Sequence, residues 1–184
     1  MIDSAFLPLL RLDMGPLHYF SVLGRALFTA QHLEANCRAI VGYLKLRMQL
    51  AKHESAALED PQFQEVMMDL WAKTMGQHIK FLNGMRVSAN EIAGRTVKQI
   101  LEDAREARNE IAHDIAVGLT DLLGSELHQR INDIKTLVRK IATADKVVAV
   151  TIHMCNKDPL PTHDFLASYE DKVVAWVTEA TFED

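Results

Sequence analysis

Apolar residues recur every three or four positions along almost the whole chain, the period of an α-helix. Leu17, Phe20, Leu23, Leu27, Ala30, Cys37, Val41, Leu44 and Met48 step in this way and predict a long first helix, started by Asp13 and Pro16. Asp60-Pro61 reads as the N-cap and first turn of a second helix carrying Phe63, Val66, Leu70, Met75, Ile79 and Leu82. Ser88-Ala89-Asn90-Glu91 has the spacing of a capping box and opens a third segment. The apolar face of that segment runs through Ile100, Leu101, Ala104, Ile111, Ile115, Leu119 and Leu122 to the interruption at Gly124-Ser125. Leu127, Ile131, Ile134, Val138 and Ile141 mark a fourth helix.

Only Lys146 to Met154 is ambiguous, because Val147, Val148, Val150, Thr151 and Ile152 favour a strand. No second β-rich run offers a partner, so the stretch is expected to end the fourth helix or form a short helix of its own. Asn156 to Pro161 reads as a loop, and Phe165, Tyr169, Val173, Trp176 and Val177 as a last helix. There is no internal repeat. The expected fold class is all-α, an antiparallel up-and-down bundle of four to five helices joined by short loops.

Composition narrows the function classes. A chain of 184 residues with 48% hydrophobic and 24% charged content is enough for one substantial core, so residues 1–184 are expected to form a single domain. No apolar run approaches the roughly 20 residues of a membrane helix, and Met1-Ile2-Asp3-Ser4 lacks the basic flank of a signal peptide. The expectation is a cytoplasmic protein with no membrane partner. Cys37 and Cys155 match no paired spacing and read as reduced core residues. A net charge of -5 argues against a protein that coats nucleic acid, though not against a local basic cleft. Arg95, Lys98, Arg105 and Arg108 supply such a cleft, or else a solvated helix face with Glu91, Glu102 and Glu106 as partners.

Chemistry concentrates in Arg105-Glu106-Ala107-Arg108-Asn109-Glu110-Ile111-Ala112-His113-Asp114. Arginine offers a planar fork of donors to phosphate oxygens, histidine changes protonation near neutral pH, and an asparagine can orient either. At about 100° per residue, Asn109 and His113 share one face of a regular helix, whereas Arg108 is turned about 140° from His113 toward the stripe of Leu101, Ala104 and Ile115. An inward guanidinium needs an acid, and Glu34 falls within the apolar stripe of the first helix between Ala30 and Cys37. Glu34 is therefore expected to hold Arg108, either as an orienting partner at the mouth of a cleft or as a structural ion pair that fixes helix register.

Arg108, Asn109 and His113, with four residues between arginine and histidine and Ala112 just before the histidine, resemble the signature of the HEPN superfamily. The asparagine directly after the arginine gives the spacing its specificity. The resemblance implies a small helical domain over residues 14–155, with 162–182 as an additional C-terminal helix, that dimerises so that two motifs face each other. It implies metal-independent endoribonuclease chemistry of the kind found in toxin, defence and RNA-processing systems, with Arg108, Asn109 and His113 catalytic, Glu34, Arg105 and Asp114 supporting, and no cofactor or metal. RNA would be the substrate, and an antitoxin or other protein a partner. Because some members keep the fold without the activity, a catalytically silent HEPN-like module that binds a protein partner stays open.

A third class is a bundle that binds a metal or small molecule, for which His153, Cys155, His163 and Asp164 offer zinc-type ligands at no familiar spacing. His18, His32, His53, His78 and His128 read as surface or interfacial side chains. The eight methionines read as flexible core filler.

Overall fold

A computed structural model describes residues 14–50, 61–84, 91–92, 94–114 and 125–179. Its described elements are almost entirely helical: α1 (Met14–Leu50), α2 (Pro61–Ala72), α3 (Met75–Asn83), α4 (Val97–Asn109), α5 (Ser125–Asn156) and α6 (His163–Thr178). The all-α class is therefore as expected. Among these residues no helix is long and apolar enough to cross a membrane.

Helix α1, 37 residues and so roughly 55 Å long, is the spine. Against it pack α5, α2, α3 and α6, and α5 in turn packs on α4 and α6. Tyr19, Val22, Leu33, Cys37 and Ile40 of α1 meet Ile79 of α3, Ile100, Leu101 and Ala104 of α4, and Ile134, Val138 and Ile141 of α5 in one buried cluster. Small residues such as Ala26, Ala30, Ala104 and Ala144, all buried, let these helix backbones approach. Helices α1 and α2 approach closely at Gly42, where an added Cβ would lie 3.0 Å from Leu70 Cδ1. Helix α5 continues unbroken through the valine-rich stretch to Asn156, as expected, because Val147 and Val148 bury against the cluster.

Two expected boundaries are displaced. The expected second helix is two helices, because Thr74 begins a new one: its hydroxyl accepts from the Gln77 backbone N–H while the Gln77 side chain accepts from the Thr74 N–H. Thr74-Met75-Gly76-Gln77 is thus a capping box inside a periodic apolar pattern. Of the expected opening of the third segment, Ser88-Ala89-Asn90-Glu91, the first three residues lie outside the described ones, and the helix itself starts only at Val97. Glu91–Ile92 (β1) instead pairs antiparallel with Arg95–Thr96 (β2), Glu91 opposite Thr96 and Ile92 opposite Arg95. Gly94 makes the turn at φ +75°, a conformation other residues rarely adopt. Thr96 then caps α4 reciprocally with Gln99, and the helix starts at Val97. Of the expected apolar face of this segment, Ile115, Leu119 and Leu122 lie outside the described residues.

Candidate functional site

Arg108 and Asn109 end α4, and the next five residues, Glu110–Asp114, form a π-helical turn. Such a turn closes i→i+5 hydrogen bonds and carries more residues per turn than an α-helix, and single π-turns recur at functional sites. It also revises the regular-helix geometry: Arg108 and His113, five residues apart, are separated by less than the about 140° of an unbroken α-helix. Ile111 is fully buried and anchors the widened turn in the core, while His113 on the same turn is exposed.

Arg108 turns toward α1. Its Nη2 donates to Glu34 Oε2 at 3.0 Å and its Nη1 to Asn109 Oδ1 at 3.3 Å. The arginine side chain keeps 29% of its exposure and the Glu34 side chain 18%, so the pair sits at a helix junction and not in the deep core. Glu34 also faces Arg38, one helical turn further along α1, at 3.7 Å. Arg38 lies over the Trp71 ring, its guanidinium carbon 4.7 Å from the centroid, a cation–π contact that ties α2 to the cluster.

Two of the other cations expected near the motif, Arg95 and Arg105, are drawn to acids. Arg105 Nε donates to Glu102 at 2.8 Å and its Nη2 lies 3.7 Å from Glu106, and Arg95 pairs with Asp103. The solvated-face arrangement thus describes Arg95 and Arg105, leaving Arg108 as the motif arginine that points into the helix junction. Asp114 closes the π-turn, its side chain outside the described ones.

His78 corrects an expectation. It is not a surface side chain: the helix start at Thr74 places Met75, His78 and Ile79 on one inward face, and His78 is fully buried with no hydrogen-bond partner on either ring nitrogen among the described residues. Burial, and then the Arg38 and Lys45 cations, hold its pKa below the usual imidazole value, while Glu34 acts the other way. A neutral imidazole therefore backs the Glu34–Arg38 pair. Arg38, His78 and Trp71 were not legible as neighbours of the motif, although the i, i+4 spacing of Glu34 and Arg38 was a usable signal.

Among the described residues no three His, Cys, Asp or Glu side chains gather as metal ligands. The zinc-type alternative at His153, Cys155, His163 and Asp164 is thereby overturned: the first two end α5, whereas His163 and Asp164 point to solvent at the start of α6. No family model matches the chain, and no curated protein or solved structure matches it.

Proposed function

We propose that the chain is a HEPN-like, metal-independent endoribonuclease that works as a homodimer in the cytoplasm. The reading joins the spacing of Arg108, Asn109 and His113 to one observation, a carboxylate-held arginine followed directly by a π-turn that carries an exposed histidine. In the proposed chemistry a ribose 2'-hydroxyl loses its proton and attacks the adjacent phosphorus. The bond to the 5'-oxygen breaks, and that oxygen gains a proton. His113 moves a proton, Arg108 answers the charge growing on the phosphoryl oxygens, and Asn109 and Glu34 aim the guanidinium. Products are a 2',3'-cyclic phosphate and a 5'-hydroxyl. One histidine does not readily serve both transfers, which is why two protomers, each bringing a His113, suit the step. An antiparallel up-and-down bundle is the finer architecture this reading carries.

A second reading rests on a different observation. Both terminal nitrogens of Arg108 already donate, to Glu34 and Asn109, and Arg95 and Arg105 are paired with acids. A site so neutralised suits a catalytically silent HEPN-like module that holds an antitoxin or other protein. Incubation of purified protein with RNA in excess chelator separates the two. The nuclease reading expects cleavage products with cyclic phosphate ends, lost in His113→Ala; intact RNA with a folded protein selects the silent module.

A further inference from the structure

On the other side of α1 a second carboxylate is withdrawn from water, and among the described residues it has no cation. Asp145 of α5 is 4% exposed. Asn36 Nδ2 donates to its Oδ1 at 2.7 Å, and the Tyr169 hydroxyl donates to Oδ2. Burial and this hydrogen bond to the carboxylate hold the Tyr169 hydroxyl well above its usual pKa, so it stays a donor. Neither partner carries charge. Lys146, the next residue in the chain, is turned away to Glu170 at 2.6 Å, and among the described residues no cation pairs with Asp145. An ionised carboxylate taken out of water is costly unless a positive group answers it.

The space beside Asp145 has the walls for such a group. A cavity of about 210 Å³ opens between α1, α5 and α6, with Asp145 at its floor, Tyr169 and Val173 along its side, and Phe28, His32 and Trp176 around its mouth. Phe28 and Trp176 are 61% and 50% exposed, an unusual placement for two large rings, and their centroids stand 6.0 Å apart at 60°. The rim is held in place: Arg25 of α1 donates to the backbone oxygens of Trp176 and Glu179, at 2.8 and 3.0 Å, and so fastens the end of α6. Aromatic faces carry negative charge density and attract cations.

We propose that this cavity binds a small alkylated ammonium ion, its methyl groups against the faces of Phe28, Tyr169 and Trp176 and its charge answered by Asp145. The chemistry selects this class over its rivals. A hard metal ion wants six or more oxygen ligands, and here one carboxylate with two occupied lone-pair sites is on offer. A guanidinium brings five donors to walls with few acceptors. A methylated ammonium asks for few hydrogen bonds, and apolar rings suit its surface.

Trp71→Phe leaves Trp176 as the single tryptophan, so its emission reports the cavity. Choline is the probe, and 3,3-dimethylbutanol, which has the same shape without the charge, is its control. Saturable quenching by choline is expected, with affinity at least about tenfold better than for the neutral alcohol. In the same background Asp145→Asn is expected to weaken choline binding by at least about tenfold with the helical spectrum unchanged. Should that variant fail to fold, Phe28→Leu at the exposed rim takes its place, with a severalfold loss expected. The proposal is overturned by no saturable response, by equal binding of the alcohol, or by folded variants that bind choline like the parent.

Discussion

Glu34, on helix α1, and Asp145, held against it from α5, are both carboxylates, and the thiol of Cys37 lies within the field of both. Burial first, then Asp145 and Glu34, push that thiol up to about 12, which leaves it an unreactive core residue. The two acids are nevertheless satisfied in opposite ways. Glu34 gathers two guanidinium groups at a half-open helix junction, whereas Asp145, almost fully buried, gathers an amide and a phenol. The first arrangement has its cations built in, and in the proposed nuclease one of them, Arg108, would meet the phosphate. The second has its hydrogen bonds built in and lacks the charge, so a cation from outside completes it. A carboxylate's function is set by which of these two debts its neighbours leave open.

The largest expected effect breaks the comparison at the level of activity. If the Arg108 junction cleaves RNA, His113→Ala lowers the rate by about 100-fold or more, since a general acid or base contributes that much. Its thermal midpoint should stay put, because the side chain is exposed. Asp145→Asn, on the other side of α1, should leave cleavage unchanged, measured on the same RNA. A parallel loss in both variants would mean that the two acids belong to one site.

Next comes the strength of the built-in pair. Glu34→Ala strands two guanidinium groups and should cost about 2 kcal/mol in a denaturant titration, below the range for fully buried pairs because the junction is partly wet. Arg108→Ala should cost less, about 1 kcal/mol, since Arg38 still faces Glu34. In the double mutant the losses should fall short of the sum by about 1 kcal/mol. Strict additivity would show that the 3.0 Å contact contributes nothing.

That pair was legible in the sequence, and the reasons show what was not. Glu34 broke an apolar stripe and Arg108 pointed at one, so helical phase alone brought them together. Phase also carried the valine-rich end of α5, where the lack of a partner strand outweighed β preference. Other signals missed His78 and the start of α4: a histidine standing singly in the sequence reads as surface or interfacial, and the capping-box spacing of Ser88 to Glu91 competed with the reciprocal caps that form at Thr74 and Thr96. The π-turn was illegible because i→i+5 bonding leaves the apolar period almost intact while rotating everything beyond it. The Asp145 cavity needs three helices at once, and no spacing along one of them encodes it.

Neutralising the second acid should be gentler than removing its hydrogen-bonding shape. Asp145→Asn keeps an acceptor for one donor and sheds an unanswered charge, so its stability should stay within about 1 kcal/mol of the parent. Asp145→Ala leaves Asn36 and Tyr169 without their acceptor and should cost about 2 kcal/mol. Glu34→Gln, which keeps shape but loses attraction to two arginines, should be the more harmful of the two amide variants. The reverse order, measured in matched denaturant titrations, would overturn the distinction between the acids.

The smallest effect concerns the imidazole behind the first acid. His78 is buried among Arg38 and Lys45 with its pKa lowered by burial and by those cations, so the fold prefers it neutral. In the unfolded chain it titrates near the ordinary value of about 6.5. As pH falls below that value the unfolded state takes up a proton that the folded state refuses, and stability declines until the lower folded-state pKa is passed; above the ordinary value the contribution is whole. The decline is a fraction of the about 1.4 kcal/mol per pH unit that one full proton would give. His78→Phe removes the titrating group from the same apolar setting and should flatten the plot of unfolding free energy against pH between neutrality and pH 5, relative to the parent. Parallel plots would show that His78 accepts its proton in the folded protein as readily as outside it, with the Glu34 carboxylate near enough to outweigh both burial and the two cations.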